Sequence, residues 1–240
     1  MIEIKNLYKK FGKLTVLEEL NLTISKGGIF AILGPNGSGK TTLIKSILGM
    51  IIPNKGEIAI DGENILRKWK YRNNLNYLPQ VANFPSNLSV KELIEMVKNL
   101  RPKKANSQEL IDLFGLPPFM NKKLGNLSGG TKQKVNLVLT FMFDSDLIIL
   151  DEPTTGLDPI ALIHLKELIS KEKAKGKTIL VTTHIMSFVD EMADEIVFLL
   201  DGKIYFKGSV DALKKQTDQE NLEHAIANLI EKQYQTATSK

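Results

Sequence analysis

The segment that most constrains this chain is Gly34-Pro35-Asn36-Gly37-Ser38-Gly39-Lys40-Thr41. It fits the phosphate-loop pattern of a glycine, four further residues and then Gly-Lys-Thr. The apolar run Ile29–Leu33 precedes it, and the residues after it predict a helix that begins near Lys40 and ends by Gly49. A strand, a tight glycine-rich loop and a helix in this order are typical of α/β folds that bind phosphate groups.

The residue types in this loop match what a phosphate group requires. Glycines let the backbone curl until its N–H groups converge on phosphate oxygens, and a helix N-terminus adds partial positive charge. Lys40 supplies a mobile cation for the terminal phosphates, and the Thr41 hydroxyl is suited to Mg²⁺. The alternative, a glycine-rich turn capped by a lysine, does not account for the flanking strand and helix. We therefore expect this loop, extended by Thr42, to bind ATP.

A second element consists of the apolar run Leu147–Leu150 and the two carboxylates that follow it, Asp151 and Glu152. Ligands of open α/β sheets bind at the carboxyl ends of the strands, where these side chains are expected. Asp151 is predicted to hold Mg²⁺, and Glu152 to polarise an attacking water molecule. An apolar run followed by Asp-Glu is by itself common and often only caps a strand. Beside a phosphate loop, it indicates a hydrolase.

The order of the predicted elements indicates the fold class. Residues 1–60 consist mostly of predicted strands, and residues 89–143 are predicted to be helical, beginning with a capping-box pattern of Ser89 and Glu92. Asp61-Gly62 and Asp201-Gly202 each predict a hairpin turn, and the stretch at about 218–233 predicts an amphipathic helix. Short apolar strands then alternate with helices, which predicts a parallel sheet covered on both faces. We expect an α/β P-loop NTPase with a mixed or parallel core sheet, an N-terminal antiparallel β subdomain and an inserted α-helical subdomain.

Composition limits the other functions that the chain could have. With no cysteine, it has neither disulfides nor thiolate metal sites. The net charge of +5 comes with only 7% aromatic residues, so no nucleic-acid partner is expected. The N-terminus lacks the apolar core of a signal peptide, and no apolar run approaches the roughly 18 residues of a membrane span. We expect a cytoplasmic protein unless a partner holds it at a membrane.

The segment Leu127-Ser128-Gly129-Gly130, followed by Thr131-Lys132-Gln133, resembles the signature motif of ATP-binding cassette (ABC) proteins. It precedes the strand that ends in Asp151 and Glu152, as that family requires. Ser128-Gly129-Gly130 is also predicted to open a helix, whose free N–H groups suit an anion.

The resemblance extends to about residue 215 and implies roles for further residues. Phe11 is similar to the aromatic residue that stacks on adenine. Gln80 is similar to the Q-loop glutamine, which senses Mg²⁺ and links the site to the transmembrane partner. His184 is similar to the switch histidine that contacts the γ-phosphate. Gly156-Leu157-Asp158 resembles the D-loop, which contacts the opposite subunit.

The resemblance also implies partners and a domain organisation. Two cassettes of this family face each other head to tail, so Ser128-Gly129-Gly130 of one copy would complete the ATP site of the other. A homodimer and a separate transmembrane permease subunit are expected, with the chain peripheral on the inner face of the cell membrane. Residues 1–215 would form the ATP-binding domain, with a helical subdomain at about 81–143, and residues 216–240 would form a helical tail.

Two other functions remain open at the level of sequence. One is a soluble ABC ATPase that acts on nucleic acid or the ribosome, although such relatives usually carry tandem cassettes, long insertions or zinc motifs. The other is a nucleotide-gated regulatory module, which the presence of both Glu152 and His184 disfavours. The segment Thr131-Lys132-Gln133 and the short tail are most similar to single-cassette subunits of ABC-2-type exporters.

Three further features lead to expectations of their own. Lys134 stands where many members of the family have arginine, which keeps the charge but loses the bidentate fork. Trp69 lies among basic residues, and we expect its ring to pack against the protein, with contact to a partner as the alternative. The charged run from Lys171 to Lys177 is expected to be a solvated helix end.

Overall fold

The computed structural model describes the backbone of residues 1–238 and the side chains through residue 232. The chain divides into two compact units, one formed by Met1–Tyr71 with the residues from Leu180 onward and one formed by Arg72–Ile179. The last two residues of the predicted tail, 239–240, lie outside the described residues.

The helices and strands follow one another along the chain with short connections. In chain order they are β1 (Ile2–Phe11), β2 (Leu14–Ile24), β3 (Gly28–Leu33), α1 (Lys40–Ile47), β4 (Lys55–Ile60), β5 (Glu63–Asn64), β6 (Leu75–Leu78), α2 (Val90–Leu100), α3 (Gln108–Leu113), α4 (Gly129–Phe141), β7 (Leu147–Asp151), α5 (Pro159–Ala174), β8 (Thr178–Thr182), α6 (Met186–Met192), β9 (Glu195–Leu200), β10 (Lys203–Gly208), α7 (Val210–Thr217) and α8 (Leu222–Thr238).

The first unit contains a four-stranded antiparallel sheet in the order β2-β1-β4-β5. β1 pairs with β2 through Ile2 and Ile24, and β4 pairs with β5 through Ile60 and Glu63. The turn between β4 and β5 is the predicted Asp-Gly turn, with Asp61 at a positive φ of 51°. The predicted antiparallel β subdomain and its hairpin are confirmed.

The same unit contains the strand that leads into the phosphate loop. β3 runs parallel to β9, and β9 pairs antiparallel with β10. Residues 29–33 of β3 and 196–200 of β9 are all buried, which explains why both strands are uninterrupted apolar runs. The hairpin predicted across Asp201-Gly202 is confirmed by the pairing of Leu200 with Lys203.

The C-terminal helix α8 is part of the core of the first unit. Its buried residues are spaced as on one helix face and pack with buried residues of β9, β10 and α7; those of α8 are Leu222, Ala225, Ile226 and Leu229. The sequence predicted this amphipathic helix but not α7. The predicted domain boundary at residue 215 falls within α7, and the division between domain and tail stays a prediction.

The second unit contains β6 and β7, which run parallel with Leu78 opposite Leu150. β6 is absent from the sequence-based expectations because Asn76 interrupts its short apolar run. Ser89 is the N-cap of α2; its hydroxyl accepts the backbone N–H of Glu92, while the Glu92 carboxylate accepts the N–H of Ser89. The predicted capping box is therefore confirmed.

The charged run Lys171–Lys177 at the end of α5 is not wholly a solvated helix end, because Lys177 is only 7% exposed. Its ammonium group forms ion pairs with Glu172 and Asp144. Burial lowers the pKa of Lys177, but hydrogen bonds to Asp144 and Glu172 outweigh burial and raise it overall. A buried ammonium group requires such partners, so this end of the run is structural.

Candidate functional site

The phosphate loop lies between the end of β3 and the start of α1 in the first unit. At Gly34, φ is 148° and a Cβ atom would lie 2.0 Å from the carbonyl oxygen of Leu199. Gly39 precedes α1 with a left-handed φ of 106°. No side chain could fit at Gly34 without displacing the backbone of β9. The glycine is therefore required by tight packing as well as by loop conformation.

The ammonium group of Lys40 is hydrogen-bonded to the backbone of the loop. Its Nζ donates to the carbonyl oxygens of Gly34 at 2.6 Å and Pro35 at 3.0 Å. These two hydrogen bonds keep the ammonium group beside the first residues of the loop. It therefore lies beside the N-terminus of α1, where an anion is favoured.

Two further observations indicate that the loop is suited to bind a phosphate group. The hydroxyl of Ser38 is buried and has no hydrogen-bond partner within the part of the chain that the structure describes. No side chain caps α1, and its first turn contains no acidic residue. Buried hydroxyls and helix N–H groups require hydrogen-bond partners, and phosphate oxygens can accept from both. The other predicted ATP contacts lie on the same loop and the first turn of α1: Pro35, Asn36, Gly37, Thr41 and Thr42.

Two more predicted site residues belong to the first unit. Phe11 ends β1, and its side chain is 48% exposed. The Nζ atom of Lys9 lies 4.9 Å from the centre of its ring. His184 is exposed, and it follows β8 and precedes α6. Both side chains are accessible to a ligand, as the predicted roles require.

The two carboxylates lie in the second unit, where β7 ends. Asp151 is 5% exposed and Glu152 is 8% exposed. Glu152 has a positive φ of 51°, which is uncommon for a residue other than glycine. Such a conformation persists only where the surrounding structure enforces it, and it is concentrated at functional sites. The backbone therefore turns sharply directly after Asp151.

Tyr77 is a residue of this site that the sequence-based expectations missed. It lies on β6 opposite Ile149 of β7, and burial followed by the charge of Asp151 and a hydrogen bond to it raises its pKa to about 12. The hydroxyl is therefore protonated at neutral pH and donates to the carboxylate of Asp151. A tyrosine shortly before Gln80 was the only signal in the sequence.

The signature segment opens α4 as predicted. Ser128 is the N-cap, and its hydroxyl accepts the backbone N–H of Thr131 at 3.2 Å. A Cβ atom at Gly130 would lie 2.5 Å from the carbonyl oxygen of Gly156, so the signature helix packs closely against the segment predicted as the D-loop. Ser128 and Gly129 are exposed, which leaves this end of α4 accessible.

The signature helix also holds the residues that follow Glu152. The buried side chain of Gln133 donates to the carbonyl oxygen of Pro153 at 3.1 Å. The ammonium group of Lys134 lies 2.6 Å from the carboxylate of Asp158, which also caps α5 by accepting the N–H of Ala161. A hydrogen bond from Lys134 and the bond from Ala161 lower the pKa of Asp158. Lysine at position 134 thus reaches this carboxylate with a single ammonium group.

The predicted site residues therefore form two groups. The phosphate loop, Phe11 and His184 belong to the first unit. Gln80, the signature segment, Asp151 and Glu152 belong to the second. Gln80 is exposed and follows β6, where the carbonyl oxygen of Pro79 accepts a hydrogen bond from Asn136 of α4.

Neither a membrane span nor a cluster of metal ligands is found in the part of the chain that the structure describes. Among those residues, no helix has both the length and the apolar character needed to cross a membrane. Within the same range, no group of three or more histidine and carboxylate side chains is arranged to hold a metal ion.

Comparison with known proteins identifies relatives over nearly the whole chain. Residues 17–155 match the family model described as "ABC transporter". A lantibiotic transport ATP-binding protein of Streptococcus pyogenes is 34% identical over 234 residues, which cover 96% of this chain and 97% of that protein. A bacitracin transport ATP-binding protein of Bacillus licheniformis is 34% identical over 220 residues, or 90% of this chain and 72% of that protein.

Solved structures extend the comparison to the fold. The ATP-binding subunit of an ABC transporter superposes with a TM-score of 0.88 at 29% identity, covering 96% of this chain and 99% of that one. A dimeric ATP-binding cassette in a post-hydrolysis state, bound to ADP and Pi, superposes with a TM-score of 0.78 at 26% identity. It covers 87% of this chain and 98% of that one.

Proposed function

This chain belongs to the ABC transporter family as an ATP-hydrolysing subunit, and we propose that it drives export through a separate transmembrane permease. The observation that carries the proposal is similarity over 97% of the length of a transport subunit. Relatives of the chain transport a lantibiotic, transport bacitracin and export Nod factor. None of these comparisons supports the alternative of a nucleic-acid-directed ATPase. The cargo would be selected by the permease.

The first unit would supply the groups that bind ATP. The backbone N–H groups of the phosphate loop and of the first turn of α1 would hold the β- and γ-phosphates, with Lys40 as the cation beside them. The half-exposed ring of Phe11 would stack on adenine, with the Lys9 ammonium 4.9 Å from the ring centre. His184 would contact the γ-phosphate.

The second unit would supply the hydrolytic groups. Glu152 would accept a proton from the attacking water, and its sharply turned backbone holds the carboxylate directly after β7. Asp151 and Gln80 are the proposed Mg²⁺ ligands of this unit, and the Thr41 hydroxyl is the proposed Mg²⁺ ligand of the first unit. The ion would neutralise negative charge on the β- and γ-phosphate oxygens. The Tyr77 hydroxyl would orient Asp151.

A second copy of the chain would complete each site. The exposed Ser128 and Gly129 and the N-terminus of α4 offer N–H groups to an anion bound by another subunit. ATP binding would close this nucleotide-sandwich homodimer, hydrolysis would open it again, and this movement would drive the permease. The permease would in turn hold the chain at the inner face of the cell membrane.

Co-purification tests the proposed function. Native membranes are solubilised in a mild detergent, and the tagged chain is captured in the presence of ATP. We expect a protein with several membrane spans to be recovered with it and to increase its rate of ATP hydrolysis. If the chain is recovered with no membrane protein, and its ATPase activity does not respond to any membrane fraction, the proposed function is wrong.

Replacing Tyr77 by phenylalanine tests the role of its hydroxyl group. Loss of the hydrogen bond to Asp151 is expected to raise the Mg²⁺ concentration for half-maximal ATPase activity roughly tenfold, the lower end of the usual effect of removing such a partner. Tyr8→Phe is the control, because the Tyr8 hydroxyl forms a hydrogen bond with Thr15, at 3.1 Å, within the first unit. An unchanged Mg²⁺ requirement in Tyr77→Phe would show that the hydroxyl does not position the ligand.

A further inference from the structure

The sole tryptophan of the chain is not packed, contrary to the expectation from the sequence. Trp69 is 62% exposed and lies within the segment Arg67-Lys68-Trp69-Lys70-Tyr71, called here the Trp69 segment. A tryptophan ring is among the largest apolar surfaces that a side chain can present. Its exposure between basic residues indicates a surface that is covered when the protein functions.

Trp69 lines a cavity of about 370 Å³ within the first unit. The cations Arg67, Lys68 and Lys70 and the aromatic rings of Trp69 and Tyr71 contribute to its lining, with Glu63 as the one carboxylate. Three cations against one carboxylate leave the lining with positive charge. The cavity lining therefore offers aromatic surface to an apolar group and positive charge to an anion.

The one carboxylate of the lining is already neutralised. The Nζ atom of Lys68 lies 2.9 Å from the carboxylate of Glu63. The hydrogen bond and charge of Lys68, with a smaller contribution from the charge of Lys70, lower the pKa of Glu63. Neither Arg67 nor Lys70 makes a salt bridge to a carboxylate among the residues described. Their charges are available to an external anion.

The Trp69 segment is held in place by its backbone and by Tyr71. The N–H of Lys68 donates to the carbonyl oxygen of Ile65 at 3.0 Å and closes a turn in which Arg67 has a positive φ of 58°. The hydroxyl of Tyr71 donates to the carbonyl oxygen of Ile47 at the end of α1. The cations and the tryptophan ring are thus presented together on an anchored segment.

Two further large apolar side chains are exposed shortly after the end of α1 to which Tyr71 is bonded. Met50 is 63% exposed and Ile52 is 60% exposed. Hydrogen bonds fix the backbone of this stretch. The N–H of Met50 donates to the carbonyl oxygen of Lys45, and the Lys9 ammonium donates to the carbonyl oxygen of Ile52. Apolar side chains exposed on ordered backbone add to the surface that a partner could cover.

We propose that the Trp69 segment binds the headgroups of anionic phospholipids at the membrane surface. Tryptophan and tyrosine rings are favoured at the level of the headgroups, and lysine and arginine are attracted to the negative surface of the cytoplasmic leaflet. An anionic headgroup complements the free charges of Arg67 and Lys70. Cytoplasmic loops of membrane proteins carry an excess of positive charge, so a lipid complements this segment better than such a loop does. The inference rests on the proposed function, because that function brings the chain to a membrane.

The single tryptophan makes the test specific, because the intrinsic tryptophan fluorescence of the protein comes from this site alone. The purified full-length chain is titrated with vesicles of phosphatidylcholine containing one part in four of phosphatidylglycerol. The proposal predicts a blue shift of the tryptophan emission and co-sedimentation with these vesicles. Vesicles of pure phosphatidylcholine and dissolved glycerol phosphate are expected to leave the emission unchanged. Binding to the anionic vesicles is expected to weaken as salt is added.

Matched variants locate the binding surface. Arg67→Gln/Lys70→Gln is expected to weaken vesicle binding roughly 25-fold, about fivefold for each charge, which corresponds to about 1 kcal/mol per basic residue. Lys26→Gln/Lys215→Gln removes the same charge from two exposed lysines outside the Trp69 segment and is expected to have only a small effect.

The proposal is overturned if the tryptophan emission shifts equally with neutral vesicles, if both double variants bind alike, or if only the purified permease in detergent shifts the emission. A shift with glycerol phosphate alone would also overturn it, because the ligand would then be a free phosphate. ATPase activity is measured on the same samples. Normal vesicle binding without any permease coupling would contradict the proposed function only, and normal coupling without vesicle binding would contradict the lipid proposal only.

Discussion

Replacing Glu152 by glutamine is expected to reduce ATP hydrolysis about 10³-fold while ATP binding is retained, because a positioned general base typically contributes 10² to 10⁴. Glutamine keeps the size of the side chain and its hydrogen-bonding oxygen but cannot accept a proton. The rate of phosphate release and the affinity for a fluorescent ATP analogue, measured on the same protein, separate the two effects. Because bound ATP is no longer consumed, we also expect the variant to accumulate as a dimer when ATP is added.

Glu167→Gln is the control for this prediction, since Glu167 is an exposed residue of α5 in the same unit. It should hydrolyse ATP at the rate of the unmodified protein and remain monomeric under the same conditions. Light scattering after size-exclusion chromatography reports the dimer. Turnover in Glu152→Gln within a fewfold of the unmodified protein would refute the role assigned to this carboxylate.

Replacing Lys40 by alanine is expected to weaken ATP binding by about two orders of magnitude, because each hydrogen bond to a charged group contributes about 1.5–3 kcal/mol. The ammonium group is already held at the loop by the carbonyl oxygens of Gly34 and Pro35. Little reorganisation is needed for it to reach a phosphate oxygen. Calorimetric titration with ATP and with a non-hydrolysable analogue measures the loss directly.

The control for this variant is Lys45→Ala, which removes a lysine from the last turn of the same helix. ATP affinity in that variant should stay within about twofold of the unmodified protein, as expected for a surface charge. Melting temperatures of both variants show whether the loop remains folded without the bonds that Lys40 makes. If Lys40→Ala is folded and binds ATP normally, the lysine does not contact the phosphates.

Much of the site could be predicted because its motifs are local. The phosphate loop depends on glycines whose positions follow from backbone geometry, and Gly34 is in close contact with Leu199 in the structure. The capping box of α2 and the turns at Asp61 and Asp201 likewise depend on residues close together in the chain. Local hydrogen bonds and allowed backbone angles leave a pattern that a single sequence can reveal.

Other parts of the site depend on pairs of residues far apart in the chain. The hydrogen bond of Tyr77 to Asp151 requires the parallel pairing of β6 with β7, and β6 was not recognised because Asn76 interrupts its apolar run. The bond from Gln133 to Pro153 and the contact of Gly130 with Gly156 depend on how α4 packs. No local pattern encodes such partners.

The sequence by itself determined the phosphate loop, the paired carboxylates and the signature helix, and with them the family of the protein. Only the tertiary structure decided which charges are buried and which apolar rings are exposed. Lys177, predicted to be solvated, is buried between carboxylates, whereas Trp69, predicted to pack, is exposed. The physical reason is that burial is set by which distant segments cover a residue, whereas a loop or a helix start is set by the backbone angles and hydrogen bonds of its own residues.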